Sequence, residues 1–159
     1  MPFFRASNQI PSVIAASAVA VPLTGTLTET VLATVTIPAG AMGPNGFIRV
    51  NALFSNNNSA TVKTPRIRFG GIGGTEYFNV AQTTNIGINT FRSITNRNSQ
   101  SSQVGISSAT NAFSATASSP ITSAINTAAS TTLVITGQLA NILDTLTLES
   151  YSVELLYRS

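Results

Sequence analysis

The 159 residues contain no cysteine, no histidine and no tryptophan, and only 8% carry charge. Without cysteine there is no disulfide framework, thiolate metal site or thiol redox chemistry. Without histidine the Ser-His-Asp and Cys-His arrangements are impossible, as are the common zinc and haem sites. A glycosidase needs two carboxyl groups a few ångströms apart, and the candidates are Glu29, Glu76, Asp144, Glu149 and Glu154. Glu149 and Glu154 are an odd number of residues apart, so in a regular strand they face opposite ways unless a bulge intervenes. The chain therefore reads as non-enzymatic and free of cofactors and metals. No apolar run approaches the roughly 18 residues that span a bilayer, so no membrane partner is expected.

Charge poverty alongside 43% hydrophobic residues argues against intrinsic disorder, which needs low hydrophobicity and high net charge. It points instead to subunit contact, because the cores of interfaces are depleted in charge. The pI near 10.0 rests on a net charge of only +3. Arg49, Lys63, Arg66, Arg68, Arg92 and Arg97 lie in the middle of the chain, while Asp144, Glu149 and Glu154 lie near its end. That segregation suits pairing between strands or subunits. Aromatics that would stack bases are not interleaved with the arginines except at Phe69 and Phe91, so no nucleic-acid partner is expected.

The most organised stretch is 31–71. Val31, Ala33, Val35 and Ile37 alternate with Leu32, Thr34 and Thr36, which predicts one apolar row on a half-buried strand. Pro38-Ala39-Gly40 and Gly43-Pro44-Asn45-Gly46 supply the fixed or positive φ of turns. A second strand follows, with Ile48, Val50, Ala52 and Phe54 on one face. Its other face, with Phe47, Arg49, Asn51 and Leu53, has the mixed character of a surface that meets a partner. In 61–69, Ile67 and Phe69 oppose Arg66 and Arg68, and Pro65 marks an edge or a bulge. Gly70-Gly71-Ile72-Gly73-Gly74 lacks the Gly-Lys-Ser/Thr ending of a phosphate loop and precedes another strand, so it reads as a hairpin connection.

Further strands are expected over 75–81, 86–94, 103–107, 121–127 and 131–139, with a final strand changing face near Ser150 at a bulge. Asn96 to Ser102 reads as a polar loop and 108–119, centred on Phe113, as a small-residue tract. The prediction is an all-β, antiparallel, jelly-roll-like β-sandwich of about eight strands over 27–159. Residues 1–26, with three prolines and no clean period, read as an extended arm carrying Phe3, Phe4 and Ile10, or equally as a first strand folded onto its own domain. The run from Val13 to Val21 mimics a short signal peptide, but Pro11 and Ser12 interrupt its approach.

Several phrases of the sequence also resemble small structural proteins of tailed bacteriophages. They are Thr36-Ile37-Pro38-Ala39-Gly40, Gly43, Asn45-Gly46, Arg49, Ala52-Leu53, Lys63, and Arg66-Ile67-Arg68-Phe69-Gly70-Gly71. Asn96-Arg97-Asn98, Ser102-Gln103-Val104-Gly105, Thr136 to Asn141 and Asp144 to Glu149 add to them. The resemblance spans roughly 28–156 and rests on turns and strands. It implies a virion jelly roll, often homotrimeric. The expected role is a head decoration, or cement, protein on the capsid exterior, with the major capsid protein and copies of itself as partners. Phe3, Phe4 and Ile10 would anchor the arm, and Arg66 and Arg68 would meet acids of a partner or neighbour. The alternative role is a tail-fibre or receptor-binding knob contacting a host glycan or protein.

Overall fold

A computed structural model describes residues 10–106, 108–109 and 120–159 of the chain. Eleven strands occupy them: β1 (Ser12–Ser17), β2 (Val21–Leu23), β3 (Thr30–Ile37), β4 (Phe47–Asn56), β5 (Lys63–Phe69), β6 (Thr75–Asn79), β7 (Gly87–Asn96), β8 (Gln103–Gly105), β9 (Ile121–Ser123), β10 (Thr131–Leu139) and β11 (Leu146–Leu156). All pair antiparallel, in two sheets. The larger runs β1-β11-β4-β7-β8-β9, with β2 also on β11, and the smaller runs β3-β10-β5-β6. The protein is an all-β sandwich.

The period-2 pattern of β4 sets the core. Ile48, Val50, Ala52 and Phe54 are all buried, and Phe54 stacks on Phe78 of the opposite sheet at 6.5 Å between ring centroids. Ile67 and Phe69 of β5, and Leu133, Ile135 and Leu139 of β10, close against them from the smaller sheet. Gly137 leaves room there: a Cβ on it would stand 2.7 Å from a methyl of Leu146, closer than side-chain carbons approach.

Three irregularities decide which residues face in. The pairing of β11 with β4 slips between Leu148 and Ser150, the bulge expected from the change of face. A second slip, opposite Ile135 and Thr136, corrects the expected row of β3. Ala33, Val35 and Ile37 keep the inward register, but the extra residue turns Leu32 in and Val31 out, leaving Val31 41% exposed. The third involves Pro65. β6 pairs with β5 only up to Asn79 opposite Arg66, and the edge resumes at the Lys63–Gln82 bridge, so the residue without an N–H falls in the gap.

The segment expected as an arm is divided. Ser12 to Ser17 pairs with Tyr151 to Leu155, and Val21 to Leu23 pairs with Leu146 to Leu148, so both strands lie along one side of β11. Ile10 is exposed just ahead of them, whereas Phe3 and Phe4 lie outside the described residues, as does most of the 108–119 tract. β7 runs on to Asn96, two residues beyond its expected end. A buried amide network explains the extension: Asn96 donates to Gly43 O and Thr127 Oγ1 and accepts from Gln103, whose side chain also binds Ile125 on both its amide atoms.

Replacing Phe54 by alanine removes the largest inward side chain of the central strand and its contact with Phe78. The expected loss is about 3–5 kcal/mol in denaturant unfolding, with an unchanged β-type circular dichroism spectrum below the transition.

Candidate functional site

The outward row of β4 continues across the larger sheet. Phe91 of β7 pairs with Asn51 of β4, Asn51 with Ser152 of β11, and Ser152 with Ala16 of β1. At the usual strand spacing this row spans roughly 14 Å. The row beside it holds Asn89, Leu53 and Ser150. Leu53 and Phe91 sit diagonally to each other, and both are more than 40% exposed. Asn51, Ser150, Tyr151 and Ser152 together with Ala16, Ser17 and Ala18 line an open depression of about 430 Å³. No charged side chain lines it. The amide of Asn51 and the hydroxyls of Ser150 and Ser152 have no hydrogen-bond partner among the described residues.

Charge is confined to the margins of this face. Arg49 and Glu154 share the row on one side, and the guanidinium of Arg49 lies 4.3 Å from the ring centroid of Phe47. On the other side Ser55 donates to the carboxylate of Glu149, the bulged residue. Because of that bulge Glu149 and Glu154 both point outward, but one is spent on Ser55 and the other lies beyond Ser150 and Ser152 in the sheet.

Arg66 and Arg68 stand on the outer face of the smaller sheet, and the acids they meet belong to their own chain. Arg68 grips Glu29 through a two-pronged contact, Nε at 2.7 Å and Nη2 at 2.9 Å, and holds Glu76 at 2.8 Å. Thr136 donates to the same Glu29 oxygen at 2.6 Å. Arg66 stands 3.7 Å from both Glu29 and Glu76, without a hydrogen bond to either. Two cations and two anions thus cancel. Burial tends to raise the Glu29 carboxyl, but the bonds from Arg68 and Thr136 and the field of the two arginines outweigh it and hold it below its ordinary value. The Glu29 contact correspondingly raises Arg68.

A second polar cluster braces the loop from Asn57 to Val62. Asp144 accepts from the Thr61 hydroxyl, from Asn57 at 2.9 Å and from Ser59 at 2.8 Å. These bonds hold its carboxyl down at about 2. Lys63, fully buried, donates to Ser59 Oγ and to the carbonyls of Ser59 and Thr61, filling the inside of the same loop. Arg92, also buried, lies against the Phe78 ring and donates to Tyr77 O, and burial lowers it to about 10, which leaves it charged at neutral pH. These groups are structural braces.

Sequence reasoning pointed to the outward side of β4 but missed Phe91, Ser150 and Ser152. Their alternation was visible; the register that aligns them with Asn51 was not.

Both Asp144 and Glu29 are more acidic in the fold than in the unfolded chain. Each therefore contributes stability that is present above its ordinary value, 3.8 and 4.5 respectively, and is lost as pH falls through its folded value. Thermal unfolding is expected to hold level from pH 7 to 5 and fall between about 4.5 and 2. Asp144→Asn lowers the plateau and makes the acid decline shallower; an equally steep decline in that variant would assign the acid sensitivity elsewhere.

No protein-family model matches the chain, and no curated protein matches it in sequence. Solved structures do show similarity. The CBM2 module of the evolved Dit of Lactobacillus casei BL23 phage J-1 is 12% identical, with a TM-score of 0.41 over 79% of this chain and 69% of that one. The infectious bursal disease virus Gx strain structure is 14% identical, with a TM-score of 0.32 over 94% of this chain and 38% of that one. For the Gt strain of the same virus the values are 12% and 0.31, over 96% and 43%.

Proposed function

We propose that this chain is a non-enzymatic structural subunit of a bacteriophage virion, and specifically a decoration protein that seats on the capsid exterior and beside copies of itself. The observation that carries the reading is the uncharged outer face of the larger sheet. An exposed phenylalanine and leucine stand there with no charged side chain between them, and both the aromatic and the depletion of charge are features of an interface core. Internal pairing of Arg66 and Arg68 supports it, since that network removes four charges from any contact. Strand order supports the jelly-roll form. β1-β11-β4-β7 faces β3-β10-β5-β6, eight strands in two sheets, with β8 and β9 as an added hairpin. Many such contacts of modest strength sum over a repeated shell.

A second reading is favoured by one observation. The unbonded Asn51, Ser150 and Ser152 groups beside exposed Phe91 offer hydrogen bonds and an apolar ring to a neutral glycan, the contact of a receptor-binding knob.

Cryo-electron microscopy of virions, with occupancy of the shell measured for Leu53→Asp and Phe91→Asp, separates the two. The decoration reading expects density over the shell and an occupancy about tenfold lower in either variant, with the fold intact. Density at the tail tip, with shell-independent loss of adsorption to host cells in the same variants, would replace it by the second reading.

A further inference from the structure

Four edges terminate the two sheets, and three of them carry the devices that keep strand edges from pairing with other chains. β1 starts after Pro11 and is bulged between Val13 and Ala15, while β2 beside it is three residues long with Pro22 at its centre. β9 is also three residues long. β6 is short, bulged opposite Ile67 and Arg68, and carries Glu76 in its ion-pair network. β3 differs from all of these. It is eight residues, Thr30-Val31-Leu32-Ala33-Thr34-Val35-Thr36-Ile37, with no charge and no proline. Its one bulge lies near its start, so Ala33–Ile37 is a regular run whose described pairing is with β10 alone.

We propose that this edge is a homotypic assembly site, at which Ala33–Ile37 of two copies pair antiparallel about a two-fold axis and join two four-stranded sheets into one of eight. The chemistry of the strand selects a second copy as occupant. A two-fold at Val35 sets Thr34 opposite Thr36 of the other copy on the outer face. On the inner face it sets Ala33 opposite Ile37 and Val35 opposite itself. Thr–Thr and β-branched cross-strand pairs are favourable, and with no charge on the strand a copy meets no like-charge cost. An acidic or basic partner strand would find no complement there. Thr34 and Thr36 are exposed, so their outer face is free to form these contacts. The inference goes beyond the virion reading, because it concerns the isolated chain and stands or falls wherever in a particle that chain sits.

The test is sedimentation equilibrium of the full chain across micromolar to millimolar concentration, with hydrogen exchange of the wild-type chain at both ends of that range. Pairing predicts a concentration-dependent dimer and slower exchange of the Ala33–Ile37 amides in the concentrated sample. T34K combined with T36K is expected to weaken the dimer about tenfold or more with an unchanged melting profile, and T34V to keep it. A monomer at every concentration would overturn the proposal. So would a dimer that exchanges equally fast in β3, or one that the double lysine variant leaves intact. Loss of association on deleting residues 1–9, with β3 exchange unaffected, would assign self-assembly to the N-terminal segment instead.

Discussion

The fold depends on keeping four side chains of one strand, Ile48, Val50, Ala52 and Phe54, between the two sheets. β4 is the hub of the larger sheet, with β11 on one side and β7 on the other. A slip of one residue on either side would turn that row to solvent and bring Asn51 and Arg49 inside. The surroundings fix the register from both ends. Gly46 accepts from Asn96 N at one end, and at the other Asn56 N bonds to Ile86 O. A Cβ on Gly46 would overlap Met42 O and Leu156 O, so the turn accepts no larger residue without moving. With no cysteine for a disulfide and no metal-ligating cluster among the described residues, this packing and its hydrogen-bonded boundaries hold the sandwich together.

Strand identity was legible in the sequence wherever period 2 was clean. β4, the second half of β5 and the bulge in β11 were readable from apolar alternation, while β10, buried on both faces at Leu133 to Gly137, was readable only as a short apolar run. Val31 and Leu32 were not. Alternation is clean only over 33–37; apolar Leu32 in the polar row is the one local trace of a bulge that is set by pairing with β10, a strand about a hundred residues away. The same limit applies to residues 12–23. Small and apolar residues with one proline suit a free arm as well as an edge, and the contact with β11 that decides between them is written at the other end of the chain.

The charged residues carry a similar lesson. Arg66 and Arg68 on one outward face suggested cations awaiting a partner, and the alternation itself was right. Glu29 sits before β3 and Glu76 on β6, and only the order β3-β10-β5-β6 gathers both beside the arginines. The neutral face of the larger sheet was half visible, through Asn51 and Leu53 on one strand. Its other half comes from β7 and β11, whose register no single-strand pattern contains.

The position of β11 bears on how the chain acquires its shape. It is the last of the eleven described strands in chain order, yet β1, β2 and β4 all pair with it, and they are among the first. During synthesis β1 and β2 must wait for more than 120 residues, and β4 for about a hundred, before their hydrogen-bonding partner leaves the ribosome. Closure of the larger sheet is therefore a late, non-local and comparatively slow event. Until it occurs, uncharged strands such as β1 and β3 are open to one another on neighbouring nascent chains. The yield of folded chain is then set by the race between closure by β11 and premature strand pairing.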